Sequence, residues 1–354
     1  MKVDSWLGKF AAKLFTKKLK PRPAVLVTIC IFFIFWGIAI VVAAWIDGSL
    51  ELPSSGKGLL IHYGFQMAFL SGPLVLITTL FAISIFLRIA RNIDKLITIK
   101  ASHTVVNDSF KTHIDSLFLR GRWKAMLCLL IIIGIAISFL IFKNLDHPRM
   151  YWGNDVFNAS AYHWSYYIAN SCLFMIWGLI YPIGIFYAIH LTLSTELIVS
   201  RLIKHRLLKL NFLHTDKCGG MAQFGTLNVV IMLIYVWPIF TVYALHHTYK
   251  YTYLSLVLGA VAVSVALIAQ SLYGIYWVSR AIRSEKEAEI LILNDKINGA
   301  LEGKRSSFIA AVAIMEYRDR VLSVSAYPYS KPALKIVNVL RFAPTVLAIM
   351  KTIV

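Results

Sequence analysis

Six long apolar runs dominate the chain, and shorter polar segments separate them. A helix that rises 1.5 Å per residue needs about 20 apolar residues to cross a bilayer core of about 30 Å. The pattern therefore predicts an all-α, polytopic membrane protein with about six transmembrane helices in one membrane domain. The predicted spans are residues 24–46, 58–87, 125–142, 166–193, 226–245 and 254–278.

Three of the predicted spans contain a proline, namely Pro73, Pro182 and Pro238. Proline lacks a backbone N–H and clashes with the preceding turn, so it bends a helix and frees a carbonyl group. In a membrane, neighbouring helices or water must satisfy that carbonyl. We therefore expect kinked spans.

Residues 1–23 combine apolar and basic side chains at helical spacing. Trp6, Phe10 and Leu14 fall on one stripe, most lysines lie off it, and Pro21 follows. This pattern predicts a basic amphipathic helix at the membrane surface, with its lysines against anionic lipid. The apolar run that follows is longer than the 7–15 residues, roughly, of a signal sequence, so we do not expect a cleaved signal.

Helical extensions are predicted where the chain leaves the second and fourth spans. Residues 88–124 leave the second span as a helix of mixed charge and return through Arg120 and Arg122. Residues 194–225 extend the fourth span, with a helical pattern through residues 196–213. Both segments are predicted to belong to a helical cytoplasmic layer.

The C-terminal region, residues 279–354, is predicted to complete this layer. The sixth span continues as a charged helix over 279–301, and a second helix covers 306–325. A final helix covers 332–354, where proline stands at a plausible first helical position. That helix is interfacial or re-entrant, or it is a seventh span that would place the C-terminus outside.

Positive charge is distributed unevenly along the chain. The 354 residues include 36 Lys and Arg against 17 Asp and Glu, a formal net charge of +19. All but four of the basic residues lie before span one, between two and three, between four and five, or after six. The exceptions are Lys57, Lys143, Arg149 and Lys250. Because cytoplasmic loops carry the excess of Lys and Arg, both termini are predicted to be cytoplasmic.

Composition supports a bilayer environment. Hydrophobic residues make up 58% of the chain and charged residues 15%, and the mean hydropathy is +0.70. Soluble domains are roughly 45–50% apolar and about 25% charged. Nucleic-acid binding is not expected, since no basic patch occurs in a folded soluble module. The four cysteines form no CxxC pair, so neither a disulfide framework nor a zinc ribbon is predicted.

The loop ahead of the fifth span carries the most distinctive motif, HTDKCGGM at residues 214–221. Gly219 and Gly220 permit positive φ and close approach of another segment. His214 and Asp216 can cap the helix that enters the membrane. Three interpretations stay open: a structural turn and cap, a gate or ligand contact at the inner mouth, or a metal site. Two possible ligands two residues apart are a weak metal signal, so no metal is assigned.

This loop resembles the His-Pro-Asp-x-x-Gly-Gly-Leu loop of a group of uncharacterised bacterial polytopic membrane proteins. The step Tyr327-Pro328-Tyr329 is similar to a Trp-Pro-Phe-like step before the last apolar helix of that group. The chain departs from the group's motif at Thr215 and Met221. The resemblance implies a multi-pass protein of the bacterial inner membrane and implies no activity.

Three ionisable residues lie near or within the predicted spans and are candidates for function: His62, His190 and Glu196. Such residues are costly in lipid and usually face a cavity or a partner. His62 is predicted to be interfacial. His190 and Glu196 are six residues apart and therefore point to different faces of one helix. Glu196 is expected to pair with Arg201 or Lys204.

The spans hold few other polar side chains. Substrate binding and packing alone would both explain them. No internal repeat relates the two halves of the chain, although such a repeat is typical of many transporters. The residues are Gln66, Thr78, Thr79, Ser84, Asn170, Ser171, Asn228, Gln270 and Ser271.

No nucleotide-binding, metalloprotease or serine-hydrolase motif occurs in the sequence. We therefore expect neither an enzyme nor a cofactor. The function favoured by the sequence is an oligomeric, channel-like or pore-forming protein, with lipid and further copies of the chain as its partners. The alternatives are a secondary transporter, or a membrane-bound sensor or effector, with a stress or phage-defence role among the options.

Overall fold

The computed structural model describes most of the predicted membrane domain and much of the C-terminal region. All regular elements in this part of the chain are helices, as predicted. The described residues are 21–46, 63–96, 121–144, 168, 171–172, 174–204, 210–213, 216–249, 253–301, 306–330 and 333–342.

Each predicted apolar run lies largely within helical structure, and three of the helices continue well beyond the end of their runs. Within such runs few side chains compete for backbone hydrogen bonds, and a helix satisfies its N–H and C=O groups internally. In chain order the helices are α1 (Pro23–Ile46), α2 (Tyr63–Leu96), α3 (Gly121–Asn144), α4 (Tyr181–Lys204), α5 (Ala222–Tyr249), α6 (Tyr253–Leu301), α7 (Ser306–Ser323) and α8 (residues 333–342).

Three helical stretches are long and apolar enough to cross a membrane: Pro23–Ile46, Phe69–Ala90 and Ile176–Lys204. The part of the chain that the structure describes is therefore all-helical, and three of its helices suit a membrane by length and composition. In α3 and α5, the apolar stretches whose side chains the structure describes are shorter, Ala125–Ala136 and Ala222–Trp237. The predicted count of six spans stays a prediction.

Helix α1 is apolar on all sides, as expected of a helix that faces lipid. Its side chains at Phe35 and Trp45 are 68% and 74% exposed. The buried side of the same helix contributes Phe33 and Ile40 to the core, where Phe33 meets Phe69 of α2 edge to face at 5.8 Å between ring centroids. Lipid-facing and core-facing residues thus share one helix.

A π-helical turn, Ile176–Ile180, precedes α4 directly. The Tyr181 N–H bonds the carbonyl of Ile176, five residues earlier, and Pro182 follows. A proline removes one donor from the helical ladder, and a π turn rearranges the carbonyls beside it. Pro182 therefore lies beside a local change in helical pitch, and the kink itself stays a prediction.

The fourth helix ends earlier than predicted. The extension is predicted to stay helical through residue 213, but residues 210–213 are not helical. The described part of α4 reaches Lys204. Part of the reason is local. The Asn211 side chain accepts the N–H of Leu213 at 3.1 Å, so it offers the backbone a turn in place of a helical bond.

Helices α6 and α7 form an antiparallel hairpin beyond the apolar part of the bundle. Lys286 of α6 donates to the carbonyls of Leu322 (2.6 Å) and Val324 (3.0 Å). These carbonyls belong to the C-terminal end of α7, where a cation is favoured. The predicted helices at 279–301 and 306–325 are confirmed, the first as a direct continuation of the apolar half of α6.

Residues 1–20, 97–120, 145–167, 250–252 and 343–354 lie outside the described residues. They carry most of the predicted amphipathic N-terminal helix, part of the predicted 88–124 extension and most of the segment between the predicted third and fourth spans. The structure therefore leaves those predictions untested.

Candidate functional site

Asp216 ties the loop before α5 to the start of that helix. Its Oδ1 accepts the N–H groups of Cys218 (2.9 Å) and Gly220 (3.1 Å), and its Oδ2 accepts the N–H of Ala222 (3.1 Å). Ala222 is the first residue of α5. The predicted cap is confirmed for Asp216, and its negative charge complements the positive end of the helix dipole.

The two glycines of the loop adopt the conformations that the motif predicts. Gly219 has φ +65° and Gly220 has φ +90°, and Lys217 also lies in the left-handed region at φ +54°. A side chain at Lys217 costs some free energy there. The surrounding bonds hold it in place, since the Lys217 carbonyl accepts the N–H of Ser325 at 2.9 Å.

The loop contacts the segment 325–329, so the two motifs behind the resemblance meet in space. The buried Cys218 thiol faces the carbonyls of Tyr327 (3.5 Å) and Tyr329 (3.8 Å). A Cβ at Gly225, on the first turn of α5, would lie 1.9 Å from the carbonyl oxygen of Pro328. Only glycine permits this approach.

Burial, together with the negative charge of Asp216, raises the pKa of Cys218 to about 11. The residue is therefore a thiol at neutral pH. It serves as a hydrogen-bond donor to the tail carbonyls, since the thiolate is the reactive form of cysteine.

His214 lies outside the described residues, so the structure does not test its predicted role. Three backbone N–H groups already bond the Asp216 carboxylate. In the part of the chain that the structure describes, no group of three or more His, Cys, Asp or Glu side chains could hold a metal ion. The observed geometry of the loop is that of a turn and a helix cap.

A second set of contacts begins where the tail enters the bundle at Tyr329. The Asn228 Nδ2 of α5 donates to the Tyr329 hydroxyl at 2.6 Å, and that hydroxyl lies 3.4 Å from the Ser271 carbonyl of α6. Burial raises the pKa of Tyr329, whereas the Asn228 bond and the charge of Arg341 lower it, and the net shift is upward. The hydroxyl therefore stays neutral.

Gln270 and Arg341 extend these contacts to α4 and α8. The Gln270 Nε2 donates to the Thr192 hydroxyl (2.7 Å) and to the Asn228 Oδ1 (3.2 Å). The Arg341 Nε of α8 donates to the Ser271 hydroxyl at 2.7 Å. Four helices and the tail segment thus converge on one hydrogen-bonded group. We call it the polar cluster: Thr192, Asn228, Gln270, Ser271, Tyr329 and Arg341.

The polar cluster lies inside the apolar part of the bundle. Asn228 is six residues beyond the start of α5, about 9 Å along the helix. Ser271 precedes Arg280, the first charged residue of α6, by nine residues, which is about 14 Å. Thr192, Asn228 and Ser271 are buried. Polar groups at such depth need internal partners, and here they supply one another.

Glu196 lies one helical turn beyond Thr192, on the same side of α4. Its side chain is 3% exposed, and its Oε2 accepts the backbone N–H of Trp277 of α6 at 3.3 Å. The other oxygen, Oε1, has no hydrogen-bond partner among the described residues. No ion pair with Lys204 is observed, because the carboxylate turns into the α4–α6 interface while Lys204 is exposed. The Arg201 side chain lies outside the described residues, so a pair with Arg201 stays a prediction.

His190 is buried and stacks on Phe186, with 5.6 Å between ring centroids and 6° between planes. It lies within the core and belongs to no described cluster with Glu196, as their spacing predicted. His62, the third ionisable candidate, lies outside the described residues.

Half of the residues in the polar cluster, Asn228, Gln270 and Ser271, are among the polar residues that the sequence analysis places within the predicted spans. Thr192, Tyr329 and Arg341 were missed as site residues. Tyr329 belongs to the Tyr327-Pro328-Tyr329 step, so that motif was the one sequence signal available for the tail.

No protein-family model, curated protein or solved structure matches this chain. The resemblance of residues 213–221 and 327–329 to a group of bacterial membrane proteins therefore stays a prediction.

Proposed function

We propose that the protein is a channel-like membrane protein that passes a small polar or charged solute, with the polar cluster as the narrow part of its pathway. The supporting observation is the convergence of polar side chains from α4, α5, α6, the tail and α8 at one level of an apolar bundle. Polar groups at membrane depth are costly and frequently mark solute pathways.

The loop at Asp216 would then set the position of the pathway's wall. It bonds the start of α5 and the segment that carries Tyr329. A change in the loop would shift Asn228 and Tyr329 together. Glu196, one turn from Thr192, would add a titratable group at the end of α4, where the sequence places the cytoplasmic side.

Self-association is a further part of the proposal. On the α6–α7 hairpin, Leu291 is 66% exposed and Ile309 is 77% exposed, and Val312 is exposed as well. Large apolar side chains on a polar hairpin are typical of interaction surfaces. We assign this surface to contacts between copies of the chain.

The proposal also places both termini in the cytoplasm of a bacterium, with anionic lipid against the basic segments.

A secondary transporter is the second candidate. The π turn Ile176–Ile180 and Pro182 interrupt the regular geometry of the helix that carries Thr192 and Glu196. Interrupted helices beside a polar site at membrane depth are common in transporters. A channel and a transporter differ in kinetics, so flux measurements separate the two.

Reconstitution into liposomes tests the proposal. We expect flux of small ions through the purified full-length protein and its loss in Gln270→Leu. Thr226→Val is the matched control, because Thr226 is exposed on α5 and bonds only its own helix. Unitary currents would favour a channel, and saturable flux without them a transporter. If the folded protein passes none of the small ions tested, both the channel and the transporter proposals are overturned.

A further inference from the structure

Arg341 is the one charged member of the polar cluster. Its Nε donates to Ser271, and it makes no other hydrogen bond or ion pair with the described residues. The side chain is half-buried, and its two terminal nitrogens have no hydrogen-bond partner in the part of the chain that the structure describes. A guanidinium is always charged and offers donors in a planar fork.

Among the described residues, no carboxylate pairs with Arg341. Residues 342–354 contain no Asp or Glu. Glu196 is the one acidic residue in the three stretches able to span the membrane, and its Oε2 bonds the N–H of Trp277. Trp277 is six residues beyond Ser271 on α6, about 9 Å along the helix.

The groups around Arg341 are neutral and include further donors. Asn228 uses one of its two amide hydrogens on the Tyr329 hydroxyl, which stays protonated. Ser271 uses its hydroxyl hydrogen on the carbonyl of Ile268 at 2.8 Å, so it accepts from Arg341 and holds the guanidinium plane. An anion would meet a positive fork held by Ser271, without a competing carboxylate from the described residues.

We propose that Arg341 and its neighbours in the polar cluster bind an oxyanion of the carboxylate or phosphate class. Two oxygens on one centre match the two terminal nitrogens of the guanidinium. The inference deepens the proposed function and rests on it where it names the class of solute. The same chemistry has two sources, a soluble anion and the phosphate of a lipid headgroup.

Both sources can reach the site. On α8, Val337 is buried against α5 and α6, whereas Val339 and Phe342 are 65% and 56% exposed. The outer side of α8 also carries the exposed Lys335. Arg341 thus stands between an apolar, lipid-compatible surface and the polar cluster.

Thermal unfolding of the full-length protein in an uncharged detergent tests the site. One arm titrates sodium phosphate against sodium chloride of equal ionic strength, and the other compares micelles that contain phosphatidylglycerol with micelles that contain phosphatidylcholine. We expect stabilisation in at least one arm. Arg341→Gln should raise the half-saturating concentration of the stabilising phosphate or phosphatidylglycerol about tenfold or more, because the charge-assisted bonds from the guanidinium to the anion are lost. Lys335→Gln, the control on the same helix, should bind as the native protein does.

A melting temperature that rises with phosphate identifies a soluble anion. A melting temperature that rises with phosphatidylglycerol alone identifies a lipid headgroup. No stabilisation in either arm, or equal binding by Arg341→Gln, would overturn the site. If Arg341→Gln fails to fold, Arg341→Lys and Ser271→Ala replace it. Both should weaken binding, and native affinity in both would contradict the proposal. The measurement requires no flux, so intact binding without flux would contradict the proposed function alone.

Discussion

Gly225 and Pro328 lie in direct backbone contact, although 103 positions separate them in the sequence. A Cβ at residue 225 would lie 1.9 Å from the Pro328 carbonyl oxygen and 2.9 Å from the Tyr329 ring. The first turn of α5 therefore positions the tail at the point where Tyr329 enters the polar cluster. The loop, the tail and the cluster form one connected structure.

Gly225→Ala should displace the tail from α5. Because the obstructing atom belongs to the backbone, the clash cannot be relieved by a side-chain rotation. We expect a loss of about 1–3 kcal/mol in the free energy of unfolding, as for other overpacked sites. Thermal or denaturant unfolding in detergent measures the loss.

Gly299→Ala is the matched control, since nothing lies within 4 Å of a Cβ at this helical position. Alanine is favoured over glycine in helices by roughly 1 kcal/mol, so this variant should be as stable as the native protein or more stable. Equal stability of the two variants would show that the tail does not dock at Gly225.

Asp216→Ala should cost about 0.5–2 kcal/mol, because three backbone N–H groups lose their acceptor and α5 loses its cap. Asp319→Ala is the control, because the Asp319 carboxylate is 69% exposed and, among the described residues, pairs only with the neighbouring Arg318 at 3.7 Å. Flux measured on the same protein samples then distinguishes a structural loop from a gate. If the loop is structural, flux falls only as far as the folded fraction falls. A loss of flux in Asp216→Ala or His214→Ala at unchanged melting temperature would identify a gate.

The geometry of Asp216 could be predicted from the sequence because its contacts are local. Its partners are two, four and six residues away, and adjacent glycines at positive φ are a recognisable turn signal. Apolar runs of about 20 residues likewise predict helices, since no other element except a closed barrel satisfies its backbone in lipid.

The polar cluster could not be predicted in the same way. Tyr329 bonds a residue 101 positions away, and Arg341 bonds one 70 positions away. A single sequence contains no record of which distant residues meet. The early end of α4 was missed for a related reason, because the pattern through residue 213 is helical and the Asn211 turn competes with it locally.

Tyr329→Phe should test whether the polar cluster holds together as a unit. The change leaves the Asn228 amide without its 2.6 Å acceptor, and a buried donor without a partner costs about 1–3 kcal/mol. Asn228→Leu removes the donor and should destabilise through its other bond to Gln270. The double variant has no unpaired donor. Its loss in the free energy of unfolding should therefore be smaller than the sum of the two single losses by at least about 0.5 kcal/mol. Tyr273→Phe, an exposed tyrosine on α6, is the control. Strict additivity would show that the Asn228–Tyr329 bond contributes nothing measurable.

The last prediction concerns orientation, which rests on the asymmetry of basic residues rather than on contacts. Single cysteines replacing Lys217 and Asp295 occupy exposed positions in the Asp216 loop and on α6, and both should resist an impermeant thiol reagent added to intact cells. A cysteine replacing Asp155, in the segment between the predicted third and fourth spans, should react. Permeabilised cells supply the control, since all three positions should then be labelled. The native Cys218 is buried and stays a thiol, so it should contribute little background at the loop. Labelling of position 295 in intact cells would reverse the predicted orientation. It would also place the Asp216 loop outside, because residue 217 and the charged half of α6 are predicted to lie on the same side of the membrane.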